Sequence, residues 1–428
     1  MDRFTIGKTK SLSPLSFEEV DADIICEDGK VFLEKRDEEG KLYKSLIETN
    51  LDFYKFITQD KVPTQLPPRQ IFFYTSLKCN LKCPICYEEL DVKDEITIDE
   101  IKEVLKDHRN KGFTLTGRES TCRDDIFEII KVVSENNRAL LLTNGLKLAD
   151  YDYTVKLKES GVALVIFSFN GFNDEIYRQM NGKPLLKIKL QALENLKKVG
   201  IKTCLSVTLA KGINDKELRE ICDFCIDNRS FIYQLRIRTL APMGRHLENV
   251  EQHCLSEMVQ LIADQLQIPM SDIMKELAFW KMFVDELEPF VPPSLEIRKL
   301  VMSRVCSLNF TIRKDLTTNR YYSLGSRIDV DAISRAKFKK PLLIYYFAKA
   351  FGIRNIAQNV IRMLRIPLSS GEANSLMVIL RCWPNLYTID LEENKKCLSV
   401  FYKDGNAKPF CYSNIMTGKL AAEKGPSQ

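Results

Sequence analysis

Between residues 70 and about 245 the chain alternates short apolar runs with amphipathic helical stretches, six times over. The runs 71–77, 113–116, 139–143, 162–167, 201–209 and 232–239 read as strands. Helices are expected near 98–110 and over 124–136, 153–160, 184–199 and 215–227. Thr97 with Glu100 three residues on announces the first as a capping box. The 184–199 stretch puts Leu185, Ile188, Ala192, Leu196 and Val199 on one face. Repeated β/α units with short connections specify a parallel sheet wrapped by helices. Six units are too few for a complete eight-fold barrel, so an α/β fold with a partial (β/α)6 TIM-type barrel is expected. Ligands in such folds gather at the carboxyl ends of the strands.

At the carboxyl end of the first strand stands Cys79-Asn-Leu-Lys-Cys83-Pro-Ile-Cys86. Three thiolates in one short loop can wrap a single metal centre, and thiolates are the usual protein ligands of iron–sulfur clusters. Three leave one iron of a cubane cluster open. The competing reading is zinc, which in structural sites takes four ligands, commonly as paired Cys-x2-Cys. None of the three histidines, His108, His246 and His253, is near the loop.

Two flanking regions complete the expected division: 1–68, 69–245 and 246–428. In the first, Val31–Leu33 and Leu42–Leu46 flank Asp37–Gly40 as a small β-hairpin domain, and Pro63, Pro67 and Pro68 mark a linker. The last third loses the alternation and reads as mostly helical, with Cys306, Cys382, Cys397 and Cys411 scattered through it. Thirteen cysteines in a chain opening Met1-Asp-Arg-Phe-Thr, without an apolar signal, imply a cytoplasmic protein with metal-bound or reduced thiols. A net charge of +5 is too small to imply a nucleic-acid partner. The segment 335–366 holds eight basic residues and no acidic one, interleaved with apolar side chains. It reads either as a packed helix with a solvated basic face, or as a peripheral contact to an anionic membrane or a substrate entrance.

The loop Cys79–Tyr87 resembles the cluster motif of the radical S-adenosylmethionine (SAM) superfamily. That resemblance implies a 4Fe–4S cluster on Cys79, Cys83 and Cys86, with SAM on the open iron. It further implies reductive cleavage of SAM to a 5′-deoxyadenosyl radical that abstracts a substrate hydrogen, with a flavodoxin or ferredoxin as reductant. Thr116-Gly117-Arg118-Glu119-Ser120 stands where the family has Gly-Gly-Glu-Pro, so Glu119 is the implied acceptor for the SAM ammonium group. Arg118 in the place of a Gly offers a charge for the SAM carboxylate, a substrate anion or a rim ion pair. Ser168-Phe-Asn170-Gly resembles Ser-x-Asp-Gly, making Ser168 and Asn170 cofactor contacts. Tyr87 is expected to offer its backbone to the adenine. Asp124-Asp125 opens a helix and reads as a cap. Cys222 and Cys225, within one helix, read as structural; Cys122 lies near the SAM pocket.

Within the superfamily, Phe169–Arg178, Leu185–Leu196, Lys211–Asp215, Leu391–Cys397 and Lys408–Cys411 resemble the branch of tetraether lipid synthases and radical pterin methylases. In that branch C-terminal cysteines hold auxiliary clusters, and Cys306, Cys382, Cys397 and Cys411 are enough for one further 4Fe–4S cluster. The branch's N-terminal iron site is not expected, since this region has only Cys26, with Asp37 where a cysteine would stand. The implied function is an oxidoreductase or transferase that functionalises an unactivated C–H bond of a small molecule or lipid by C–C bond formation or methylation. A ribosomal-peptide maturase and a non-catalytic iron–sulfur or zinc scaffold are the alternatives.

Overall fold

The architecture is given by a computed structural model that describes residues 2–59, 68, 70–87, 95–240, 251–287, 306–327, 374–403 and 406–423. The basic segment 335–366 lies outside the described residues. The chain opens with four antiparallel strands in sequential order: β1 (Arg3–Leu12), β2 (Glu19–Glu27), β3 (Lys30–Arg36) and β4 (Leu42–Glu48). The expected hairpin is the β3–β4 pair. β1 and β2 double it into a sheet; Lys8, Lys10, Asp21 and Asp23 on these strands obscure their apolar runs. α1 (Leu51–Thr58) follows, with the Asn50 side chain accepting from the Phe53 N–H at 2.9 Å.

The middle of the chain runs β5 (Gln70–Ser76), α2 (Ile98–Lys106), β6 (Gly112–Gly117), α3 (Ile126–Ser134), β7 (Arg138–Thr143) and α4 (Tyr151–Glu159). It continues β8 (Leu164–Ser168), α5 (Asp174–Asn181), α6 (Leu186–Val199), β9 (Thr203–Leu209), α7 (Leu218–Asp227) and β10 (Ile232–Thr239). All six expected strands are present. α5 was not anticipated; Asn173 caps it through the Glu175 N–H. Asp125 precedes α3 but makes no cap bond, because both of its oxygens take Arg123 at 2.5 and 3.0 Å.

The last third departs from the expectation of a mostly helical region. It contains α8 (Leu255–Leu266), α9 (Met270–Leu287), β11 (Ser307–Asp315), β12 (Arg320–Ser323) and β13 (Ser375–Arg381). α10 (Leu391–Lys395), β14 (Ser399–Lys403), β15 (Asn406–Pro409) and α11 (Phe410–Glu423) complete it. Its five strands join the central sheet, whose order is β12-β11-β13-β10-β9-β8-β7-β6-β5-β14-β15. β13 pairs parallel with β10 and β14 parallel with β5, so eight neighbouring strands are parallel. The last third thus flanks the six-strand array on both sides. β13 is a short continuous apolar run, Leu376–Leu380, which periodicity alone does not separate from a buried helix turn.

Alternate strand residues form the main core on the helix side: Ile71, Phe73, Phe113, Leu115, Leu141, Val165, Phe167, Leu205, Val207, Leu235, Ile237, Val378 and Leu380. Each such side chain contributes about 1.5–3 kcal/mol on burial. The intervening residues face the interior of the open barrel. The N-terminal sheet packs on the last third: Lys35 Nζ donates to the Leu386 carbonyl at 2.7 Å, and Leu12 packs with Ile389, Leu391 and Ile415.

Candidate functional site

The Cys79–Cys86 loop leaves β5 at its carboxyl end and is braced by donors aimed at its sulfurs. The Leu81 N–H points at Cys79 Sγ (3.4 Å), and the Asn181 amide donates to Cys83 Sγ at 3.2 Å. The Cys86 N–H closes a turn on the Cys83 carbonyl at 3.2 Å. Burial pushes the Cys79 thiol up to about 11, with charge on Glu119, Cys83 and Cys86 adding to the shift. Three thiolates gathered in one short loop would repel one another, and the positive charge of a metal centre would offset this. The donors to sulfur and the mutual proximity of the thiols fit the three-thiolate cluster that the sequence implies. Among the described residues no three His, Cys, Asp or Glu side chains converge on a single-ion position.

Glu119 is buried at the end of β6. Its Oε1 accepts from the Thr121 N–H (3.1 Å), Thr121 Oγ1 (2.7 Å) and Thr143 Oγ1 (2.6 Å), while Oε2 accepts from the Asn144 N–H at 2.7 Å. A carboxylate has about four acceptor sites, two on each oxygen, so Oε2 retains acceptor capacity. Gly117, two residues before, has φ +132°, and a Cβ there would meet the Ser76 carbonyl oxygen at 2.6 Å. Arg118 is exposed and does not share the left-handed backbone, which is why a long side chain replaces a glycine there without strain.

Ser168 ends β8 and is half-buried. Its carbonyl, with that of Asn144, takes the ammonium group of Lys189 at 2.6 and 2.9 Å. Lys189 is fully buried on α6 and was not singled out from the sequence; a lysine on a helix face carries no signal that it points inward. Asn170 is buried with both ends of its amide engaged: Oδ1 accepts from the Thr208 N–H (3.1 Å), and Nδ2 reaches Asn181 Oδ1 (3.4 Å). Asn181 is the residue that donates to Cys83. Asn170 therefore stands one hydrogen bond behind the cysteine loop.

Tyr87 makes an edge contact with Trp383, ring centroids 5.1 Å apart, and the Arg238 guanidinium lies over both rings at 5.5 and 5.2 Å. These contacts join the cysteine loop to the last third of the chain. Beside Trp383 a cavity of about 110 Å³ is lined by Cys306, Cys382, Cys397 and Cys411, the four thiols that the sequence leaves widely scattered. Cys382 follows β13, and its N–H takes the Cys306 carbonyl at 3.0 Å. Burial pushes Cys382 up to about 12 and Cys411 well above the ordinary thiol range; charge on Cys306, Cys397 and Cys382 adds to the shift of Cys411. Cys254, which the sequence reading passed over, lines the same cavity at the start of α8, next to the buried His253. Leu46 and Ile47 of β4 also line it, so the N-terminal sheet supplies part of one wall. Cys222 and Cys225 are fully buried in the main core, matching a structural role. Cys122 is half-buried, and burial, with the charge on Glu119 adding to it, raises its thiol.

The three-cysteine loop thus stands at the end of the first parallel strand of a mostly parallel sheet. The chain matches the Radical SAM superfamily over residues 73–225. It is 24% identical over 482 residues to the 7,8-dihydro-6-hydroxymethylpterin dimethyltransferase of Methanocaldococcus jannaschii, across 97% of this chain and 95% of the relative. It is 30% identical over 174 residues to the probable GTP 3′,8-cyclase of Thermococcus kodakarensis, across 39% of this chain and 56% of the cyclase. Among solved structures, that of Streptococcus suis SuiB bound to precursor peptide SuiA aligns with 18% identity and a TM-score of 0.40, over 47% of this chain and 46% of that one. No helix among the described residues is long and apolar enough to cross a membrane.

Proposed function

We propose that this chain is a two-cluster radical SAM enzyme that methylates, or forms a C–C bond on, an unactivated carbon of a small molecule or lipid. The observation that carries this reading is the full-length similarity to a pterin dimethyltransferase, in a chain whose C-terminal thiols share one cavity. Cys79, Cys83 and Cys86 hold the first 4Fe–4S cluster. Bound there, cluster and SAM supply the one-electron chemistry that no side chain can perform. Glu119, anchored through both oxygens, offers its remaining Oε2 capacity to the SAM ammonium group. Ser168 and the Tyr87 backbone flank the cofactor. Asn170 acts through Asn181, keeping a donor on the Cys83 sulfur. Cys306, Cys382, Cys397 and Cys411 hold the second 4Fe–4S cluster, whose thiols surround a volume rather than a point. A flavodoxin or ferredoxin serves as reductant.

Anaerobic reconstitution with iron, sulfide, SAM and dithionite tests the reading. Formation of 5′-deoxyadenosine, lost in Cys83→Ala, is expected. A fully loaded enzyme that leaves SAM intact would sink it. Incubation with 7,8-dihydro-6-hydroxymethylpterin and mass detection of added methyl groups tests the pterin branch directly.

A further inference from the structure

The interior face of β10 and β13 carries three guanidinium groups, Arg236, Arg238 and Arg381. Parallel pairing sets Arg238 opposite Arg381 and Arg236 opposite Ile379. Their alternates Leu235, Ile237, Val378 and Leu380 lie in the helix-side core, so the arginines face the barrel interior. All three are half-buried. Among the described residues none has a carboxylate partner. The charges felt by Arg236 are those of Cys204, Arg381 and Arg238, and its Nε is buried without a hydrogen-bond partner.

Like charges brought together in a partly dry setting repel, and half-buried guanidinium groups lose hydration. Among the described residues no carboxylate offsets this; Arg238 donates its Nε to Thr208 Oγ1 at 2.9 Å and lies over the Tyr87 and Trp383 rings. A planar guanidinium fork matches the oxygens of a phosphate or carboxylate in bidentate fashion. The location is also specific. Arg238 stacks on Tyr87, the residue after Cys86, while Arg381 is near enough to Cys411 to draw its thiol downward. The face therefore lies between the two cysteine sites.

We propose that Arg236, Arg238 and Arg381 form the subsite that holds the oxyanion end of the substrate, a phosphate or carboxylate on a small molecule, between the 79–86 loop and the C-terminal cysteine cavity. The proposal rests on the radical SAM small-molecule reading and narrows its substrate to an anionic one.

The test is anaerobic titration calorimetry of the reconstituted full-length enzyme with inorganic phosphate and, separately, malonate, each with and without saturating SAM. One probe is expected to bind one-to-one and to weaken with added salt. Tighter phosphate binding points to a phosphate ester, and tighter malonate binding to a carboxylate. Arg236→Gln and Arg381→Gln should each weaken binding about tenfold or more, the scale of a lost charge-assisted contact. Arg381→Lys, which keeps the charge without the fork, should weaken binding while melting with the wild type. Wild type that binds neither probe, or glutamine variants that bind as wild type does, would overturn the proposal. So would loss of binding under saturating SAM, which would assign the arginines to the cofactor. Wild type that cleaves SAM yet binds no probe refutes this subsite alone; wild type that binds a probe yet cannot cleave SAM refutes the parent reading.

Discussion

The ammonium group of Lys189 lies 2.6 Å from the Ser168 carbonyl oxygen and 2.9 Å from that of Asn144. One cation thereby ties the carboxyl ends of β7 and β8, the two strands that deliver Thr143-Asn144 and Ser168 to the site. Its ammonium also lies over the rings of Phe167 and Tyr177 at 5.3 and 5.6 Å. Burial pushes it down to about 8, while charge on Cys83 and Glu119 pulls the other way.

Lys189→Met should take this donor away from both part-buried carbonyls. Each such loss costs about 1–3 kcal/mol, so the variant should be destabilised by roughly 2–6 kcal/mol in urea unfolding. SAM affinity, read by equilibrium dialysis, should fall with it, because the two strand ends are no longer held together. A variant as stable as wild type would show that the ammonium group is not a strut.

Gly117→Ala tests the turn that aims Glu119. The new Cβ would meet the Ser76 carbonyl oxygen at 2.6 Å and the Ser76 nitrogen at 2.8 Å, on a backbone with φ +132°. The β5–β6 junction must spread to admit it. A loss of roughly 1–3 kcal/mol in unfolding free energy is expected from the backbone strain alone, together with weakened SAM binding.

Five thiols line the C-terminal cavity, and a 4Fe–4S cluster uses four. Cys411 feels charge on Cys306, Cys397 and Cys382, whereas among the thiols Cys254 feels only Cys382. Cys254→Ala should therefore keep about eight irons per chain, and Cys411→Ala or Cys397→Ala about four. Iron and sulfide analysis checks this; about four irons in the wild type would rule out the second cluster.

Glu276 on α9 is fully buried, accepting from the Thr311 N–H (2.8 Å), Ser323 Oγ (2.8 Å) and the Leu324 N–H (3.1 Å). Burial nonetheless pushes its carboxyl from 4.5 up to about 7. Between those values the folded chain holds a proton that the unfolded chain has released. Stability should consequently fall as pH rises through this window, with the penalty complete above about 7 and absent below 4.5. Glu276→Gln removes the titration. Its urea midpoint should lose that component of the slope between pH 5.5 and 7.5, measured beside wild type.

The strands of the barrel were legible because apolar residues recur along each, continuously in Val162–Phe167 and alternately in β10, between amphipathic helical stretches. The cysteine loop was legible because its three cysteines are close together in sequence. What stayed hidden depends on contacts between distant segments. β14 reads as nothing in particular until its Val400 and Tyr402 find the edge of β5. Asn170 resembles a cofactor contact by its place in a motif, yet its amide bonds are all within the protein, which only the neighbouring Thr208 and Asn181 reveal. Cys254 gave no spacing signal, since the thiols that share its cavity come from strand ends, a loop and the first turn of α11 far along the chain.

The pairing of β14 with β5 also orders events in time. β5 is among the first barrel strands to leave the ribosome, and its outer neighbour is among the last segments made. Until Ser399–Lys403 docks, the strand that bears the cysteine loop presents an unpaired backbone edge, the kind of surface that recruits other chains. Contacts this non-local form late and slowly. Completion of the polypeptide thereby covers the edge beside the cysteine loop, and a chain shortened ahead of β14 would be an aggregation hazard.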